Sequence, residues 1–293
     1  MNAATAQLPS LTTLLRLGRI SNLPTVWTNV IAGAVLAGGA GVGPAGIVLV
    51  AVAMSAFYIG GMYLNDYFDR EIDARERPGR PIDAGEIRAQ TVMMVGFGLL
   101  ALGILLLVPF GLAPTLWGVL LAGVIVLYDV WHKANLFSPV VMGACRALVY
   151  IGAGAATAGG VSDAVLIGAL ALAAHVAGIT YAAKQENLNT VGNLWPLLML
   201  ALPLLIAVPA LLGGWLIVLA FVLLLIADGV AVRLLAVRGA ADAVPRAVSG
   251  LIAAICLVDA LAVALAGGGL LLVALCAVGY PLTRLFQSSI PGT

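Results

Sequence analysis

Apolar runs close to twenty residues long recur from one end of this 293-residue chain to the other. Nothing else in the sequence constrains the fold as much. A bilayer's hydrocarbon core, about 30 Å thick, takes about 20 helical residues per crossing. Spans are read at 24–40, 45–64, 90–109, 113–130, 138–157, 163–184, 193–211, 213–235 and 247–266. A last stretch, 269–286, is a tenth span or a re-entrant tail. Only 9% of residues are charged and 62% are hydrophobic, against about 25% charged in soluble domains. That excludes a soluble enzyme and a disordered chain. A net charge of +1 gives no hook for nucleic acid. A β-barrel would show short alternating segments instead of continuous runs. The class is an all-α polytopic membrane bundle of nine helices, or ten, around a central cavity. Residues 1–293 form a single transmembrane domain in this reading, and residues 1–21 are its N-terminal segment. Met1 to Ser10 shows neither a basic n-region nor an apolar h-region, so the first span is expected to direct insertion.

Twelve of the fourteen Lys and Arg residues fall on one side of an up-and-down bundle. They are Arg16, Arg19, Arg70, Arg75, Arg77, Arg80, Arg88, Lys133, Lys184, Arg233, Arg238 and Arg246. By the positive-inside rule that side is cytoplasmic, which places the protein in the cell membrane with its polar face inward. Arg284 joins them if 269–286 crosses. Arg146 alone lies within a span. Cys145, Cys256 and Cys276 all fall inside spans and are expected as free thiols. Abundant Gly and Ala suit close helix packing in a monomer or an oligomer.

The largest polar island runs from Asn65 to Gln90, and the smaller islands 128–135, 181–193 and 233–246 share its side. If the second span stays helical to its end, Asn65, Asp69 and Asp73 step by four. Each step rotates about 40°, so they lie on one stripe, which Asp66 joins. Clustered carboxylates repel and resist desolvation, so they call for a counter-charge. A hard cation such as Mg2+, shared with phosphates, fits oxygen donors of this kind. Neutralisation by Arg70 or Arg77, or a solvated charged loop, are the blander readings. Arg75, Arg77, Arg80 and Lys133 are suited to phosphate oxygens. Carboxylates, basic groups and an apolar bundle behind them suit a diphosphate head with a hydrocarbon tail.

On these residues the chain resembles the UbiA superfamily of intramembrane prenyltransferases. The family's N-x-x-x-D-x-x-x-D motif stands as Asn65, Asp69 and Asp73, with an extra acid at Asp66. Its R-x-x-R-P-x-x-x-G pattern stands as Arg77, Arg80, Pro81 and Gly85. Its Tyr-then-Lys pair stands as Tyr128 and Lys133, and Arg19 to Thr25 reads R-x-x-N-L-P-T. The resemblance implies Mg2+-dependent transfer of a prenyl group from a prenyl diphosphate donor to a small-molecule acceptor, within the lipid bilayer. It implies Asn65, Asp66, Asp69 and Asp73 as the metal site, and Arg19, Arg77, Arg80, Tyr128, Lys133 and Arg146 around the diphosphate.

The chain departs from the family at the second acidic motif, D-x-x-x-D at the end of the sixth span. Here Thr180 to Asn187 contains no Asp; Glu186 is the one acid, and Lys184 adds a positive charge. Glu186 is therefore carried as a metal ligand, and Lys184 as a direct phosphate contact that reduces the number of ions needed. Snorkelling of Lys184 to the headgroups is the alternative. Asp129 is a partial substitute for the lost acids. The degenerate motif, with Ser21 to Asn29, resembles the EboC-like branch; no residue fixes the acceptor, and an aromatic ring or a polar cyclitol- or sugar-like molecule both stay open. A cyclase that captures the cation internally, or a non-catalytic polyprenyl-phosphate binder or transporter, would use the same residues.

Within the spans, Arg146 lies roughly 12 Å deep at 1.5 Å per residue. It contacts substrate or pairs with Asp228, Asp259 or carbonyls. Asn22, Asn29, Tyr63, Tyr150, His175 and Tyr181 are assigned to the substrate cavity. Tyrosine faces there would stabilise an allylic cation, and His175 is read as a base for the acceptor or as a packing histidine.

Overall fold

A computed structural model describes residues 9–39, 41–76, 79–133, 135–184, 193–236 and 242–292. Every regular element among them is helical. A short helix α1 (Leu11–Leu17) and a 3-10 turn (Ile20–Asn22) lead into α2 (Leu23–Leu36). Then come α3 (Gly43–Glu76), α4 (Ala89–Leu107), α5 (Leu112–Trp131), α6 (Ser138–Ala158) and α7 (Asp163–Ala183). The apolar stretch 195–213 holds α8 (Leu202–Ala207) between two 3-10 turns. It is followed by α9 (Trp215–Ala236), α10 (Ala243–Leu265) and α11 (Leu270–Gln287). Nine stretches among the described residues are long and apolar enough to cross a membrane, and Ile20–Leu36 is a shorter apolar helix.

Local chemistry explains the departures from the expected spans. The first ends at Leu36 instead of 40, because Gly38 and Gly39 turn the chain at φ 97° and 122°, a region open to glycine. Pro196, Pro203 and Pro209 break 195–213 into three pieces, since each removes an amide donor and crowds the preceding turn. The tenth stretch is a full helix. At its far end Gln287 donates to Asn22 Oδ1 (3.0 Å) and to the carbonyl of Ser249 (3.2 Å), so it returns to the face that carries the acidic island. Arg284 therefore shares the basic face.

The helices α6, α7 and α10 are the most enclosed, and α5 and α11 turn most of their surface outward. With no hydrophobic drive between helices in lipid, close backbone approach does the holding. A Cβ on Gly33 of α2 would stand 2.7 Å from the carbonyl oxygen of Tyr150 on α6. All three cysteines are buried and free.

The longest helix positions the site. At 1.5 Å per residue, the 34 residues of α3 span about 51 Å, well beyond a 30 Å core. Its apolar half crosses the membrane. Its last three turns carry Asn65, Asp66, Asp69 and Asp73 on unbroken helix, each less than a tenth exposed.

Candidate active site at the rim of the central cavity

A cavity of about 440 Å³ opens at that face. Asn65, Asp69 and Asp73 line it from α3; Tyr128, His132 and Lys133 line it from the end of α5; Arg19 and Arg80 complete the polar rim. Deeper, the walls become Met62, Met142, Val176, Ile179, Val248 and Ile252. Tyr58 and Arg146 lie a turn deeper than Met62 and Met142 on the same helices, at the inner wall. Both also line a small apolar side pocket walled by Met54, Phe57, Leu121 and Val149.

Each aspartate has a cationic partner, and Arg80 serves two of them. Asp69 Oδ2 lies 3.2 Å from Lys133 Nζ and 3.3 Å from His132 Nε2. Asp73 Oδ2 is 4.0 Å from Arg80 Nε. Asp66 Oδ1 takes both Arg19 (3.4 Å) and Arg80 (3.3 Å). Asp66 is not among the cavity-lining residues. It faces the connection after α3, beside Arg70, Ile82 and Asp83. Sequence grouped it with the metal carboxylates; its contacts are those of an anchor for two arginines.

Arg19 adopts left-handed backbone, φ 41° and ψ 46°, a conformation that costs a non-glycine residue about 1–2 kcal/mol. The turn brings its guanidinium to Asn65 Oδ1 as well as Asp66. Strain of this kind persists where neighbours over-determine it, and two α3 side chains do so here.

His132 escaped the sequence reading as a site residue. Its imidazole stacks on Tyr128, with ring centroids 4.8 Å apart and planes 15° apart. The stack aims Nε2 at Asp69. The only sequence signal was its place beside Lys133 in the island 128–135. Asp129 is buried on the same helix end, with Oδ1 accepting from Asn65 (3.4 Å) and Oδ2 lacking a partner. It thus adjoins Asn65 but lines the apolar side pocket and not the cavity.

Lys184 lines the cavity but meets no carboxylate among the described residues. Its ammonium donates to the carbonyls of His132 (3.2 Å) and Asn135 (2.8 Å) and to Ser138 Oγ (2.9 Å). Burial, together with nearby Lys133, draws its pKa below the ordinary lysine range. Arg77 and Glu186 lie outside the described residues.

Of the six polar residues assigned to the substrate cavity, Asn22 lines it. The others turn elsewhere, because helix rotation was not readable from sequence. Tyr63 donates to the carbonyl of Leu14. Tyr181 donates to the carbonyl of Asn193. His175 is fully buried, 3.2 Å from Asp228 on α9, which is the packing alternative and not a base in the cavity. Tyr150 and Asn29 belong to a buried relay behind Arg146. Arg146 donates to Asn29 Oδ1 (2.9 Å) and Thr25 Oγ1 (3.1 Å). Asn29 donates to both oxygens of Asp259, and Tyr150 donates to the same carboxylate at 2.5 Å. The amide of Asn29 thus couples a guanidinium to a carboxylate without direct contact. Tyr58, whose ring lies 5.4 Å from the Arg146 guanidinium, faces the cavity instead.

The sequence matches the UbiA prenyltransferase family over residues 25–247. Solved structures share the fold. A digeranylgeranylglyceryl phosphate synthase is 20% identical, with 87% of this chain and 98% of that one covered at a TM-score of 0.62. A UbiA homologue from Archaeoglobus fulgidus is 13% identical, with coverage of 92% and 99% and a TM-score of 0.62. The same homologue bound to GPP and Mg2+ gives 15% identity, coverage of 94% and 99%, and a TM-score of 0.53. A search of curated proteins by sequence returns no match.

Proposed function

The chain belongs to the UbiA prenyltransferase family, and from that premise we propose that it moves a prenyl group from a prenyl diphosphate to an acceptor, with the donor's head at this rim. The observation that carries the reading is the rim itself. Asp69, Asp73, Arg19, Arg80 and Lys133 line one end of a cavity whose other walls are apolar. Charged groups meet the head, and the bundle takes the tail. The basic face, by the positive-inside rule, is cytoplasmic.

Mg2+ suits the donors present. Asp69 and Asp73 offer hard carboxylate oxygens to the cavity and Asn65 an amide oxygen. Among the described residues no group of three or more His, Cys, Asp and Glu could cage a metal unaided. Mg2+ usually needs one or two carboxylates and takes the rest from phosphate and water. Asn65, Asp69 and Asp73 would hold it, and when bound it neutralises charge on the leaving diphosphate.

The protein's own groups do the remaining work. Arg19, Arg80 and Lys133 offer charge-assisted donors to the diphosphate. As the donor's C1–O bond breaks, its electron pair leaves with the diphosphate. The faces of Tyr58 and Tyr128 stabilise the allylic cation left behind. The apolar walls keep water from it. The acceptor's nucleophilic atom bonds to C1 and sheds a proton. Arg146 at the inner wall supports an acceptor that carries polar groups, aromatic or cyclitol- and sugar-like.

The test is diphosphate release by the purified protein with geranyl, farnesyl and geranylgeranyl diphosphates, with and without Mg2+, and analysis of the lipid products. Mg2+-dependent release with prenylated acceptor supports transfer. Acceptor-independent release with a cyclic hydrocarbon product would favour a cyclase, and binding without turnover would favour a carrier.

A further inference from the structure

The end of α7 is where this chain lacks the family's second acidic pair. We infer that Lys184, which stands there, is a positioning residue. It clamps the connection between α5 and α6 so that His132 and Lys133 stand at Asp69, and it makes no contact with the donor's diphosphate. This rests on the reading of Asp69 as part of the donor site.

The geometry accounts for every proton of the ammonium. An ammonium carries three donors and no acceptor, and Lys184 places three, on His132 O, Asn135 O and Ser138 Oγ. His132 O stands at the C-terminus of α5, where the helix dipole favours a cation, and Asn135 O lies beyond it and also accepts from the Ser138 amide at 3.3 Å. The third opens α6. A single side chain from α7 therefore fixes both ends of the connection.

The connection carries the groups that meet Asp69. His132 is held from one side by its stack on Tyr128 and from the other by Lys184 on its own carbonyl. Lys133 follows directly and reaches Asp69 at 3.2 Å. Asn135 adds an internal brace, its Oδ1 accepting from the Phe137 amide at 2.9 Å. Without the clamp, only two long backbone bonds, Asn135 N–H to His132 O (3.5 Å) and Ser138 N–H to Asn135 O (3.3 Å), and the side chains would order this segment. Each rotamer-rich side chain immobilised costs on the order of 1 kcal/mol, so Lys133 would spend less time at Asp69. A phosphate would have to break at least one of three existing hydrogen bonds to engage Lys184.

The deciding measurement is hydrogen–deuterium exchange on the full-length protein in detergent without ligand, comparing wild type, Lys184→Met and Lys184→Arg. We expect amides 135–138 to exchange at least about tenfold faster in Lys184→Met and to be partly restored in Lys184→Arg. Ser138→Ala, which removes one acceptor from the other side, should shift the same amides in the same direction by less. It serves if Lys184→Met does not fold. Unchanged exchange in these variants would overturn the clamp. With geranylgeranyl diphosphate and Mg2+ as the probe, Lys184→Met should weaken binding. Added to Lys133→Met, Lys184→Met should cost much less than it does in wild type, since only His132 is then left to lose its aim. Additive losses would instead mean direct phosphate contact. If wild type binds no prenyl diphosphate, the donor-site reading fails, while the exchange data still decide the clamp.

Discussion

Lys133 Nζ stands 3.2 Å from Oδ2 of Asp69, joining the end of α5 to the acidic stripe of α3 across 64 residues of sequence. The rim is thus an arrangement of opposite charges held in register. A donor bringing Mg2+ and diphosphate would re-pair those charges and leave none bare, which keeps the desolvation cost of opening each pair low.

Asp69 is the carboxylate on which the donor reading depends most. Asp69→Asn should lower diphosphate release on the order of 100-fold, the scale seen when a group stabilising developing charge is removed. Mn2+ binding, followed by electron paramagnetic resonance, should weaken in parallel. Full Mn2+ binding with lost release would make Asp69 an anchor for Lys133 and His132 and not a metal ligand.

Asp66 separates an anchor from a ligand. It is 5% exposed and holds both Arg19 and Arg80. Asp66→Ala leaves two partly buried guanidinium groups without their shared partner, and breaking a buried pair costs about 3–5 kcal/mol. The exposure of the arginines, 18% and 21%, argues for the low end or below. Thermal unfolding in detergent should show a lower midpoint, and donor affinity should drop because both arginines lose their aim. Mn2+ affinity measured without donor should stay within a few-fold of wild type. A loss as large as that of Asp69→Asn would restore Asp66 to the metal.

Tyr150 tests the buried relay. Tyr150→Phe removes one hydrogen bond to Asp259 and little volume, so stability should fall by about 1.5–3 kcal/mol, the range for a bond to a charged group. The hydroxyl points at Asp259 and the residue does not line the cavity. Binding of geranylgeranyl diphosphate should therefore be unchanged. A stable variant with weakened donor binding would place Tyr150 in the cavity after all.

Lys184 predicts a pH dependence with a definite sign. Burial and Lys133 lower its pKa, so its cation is lost at lower pH than that of an ordinary lysine. The groups facing it from the α5–α6 connection are Lys133 and His132. As pH rises through that lowered pKa the ammonium loses one of its three donors, and the clamp loosens. The unfolded chain binds the proton more tightly, so global stability from this group rises with pH while local order falls. Exchange at amides 135–138, corrected for its intrinsic pH dependence, should increase on the alkaline side in wild type and not in Lys184→Arg. Identical profiles would remove Lys184's charge from the account.

What the sequence determined by itself follows from periods and lengths. Twenty-residue apolar runs require helices across a bilayer, because no other open structure satisfies its backbone there. The four-residue steps among Asn65, Asp69 and Asp73 guaranteed a shared stripe once α3 was helical to Glu76. Basic residues gathered at alternate connections marked the face. Tertiary structure decided what rotation and neighbours control. Every residue of α6 and α7 is apolar or isolated-polar in sequence, so nothing announced that Tyr150 and His175 turn into the protein while Arg146 reaches the cavity. Nothing announced that Asp66 would hold two arginines, one from each side in sequence. Lys184 read as a phosphate contact or a snorkelling side chain beside a missing acid. Only the approach of the α5–α6 connection to the end of α7 shows its three donors occupied. A periodic pattern encodes which residues share a helix face; packing against other helices sets which way that face points.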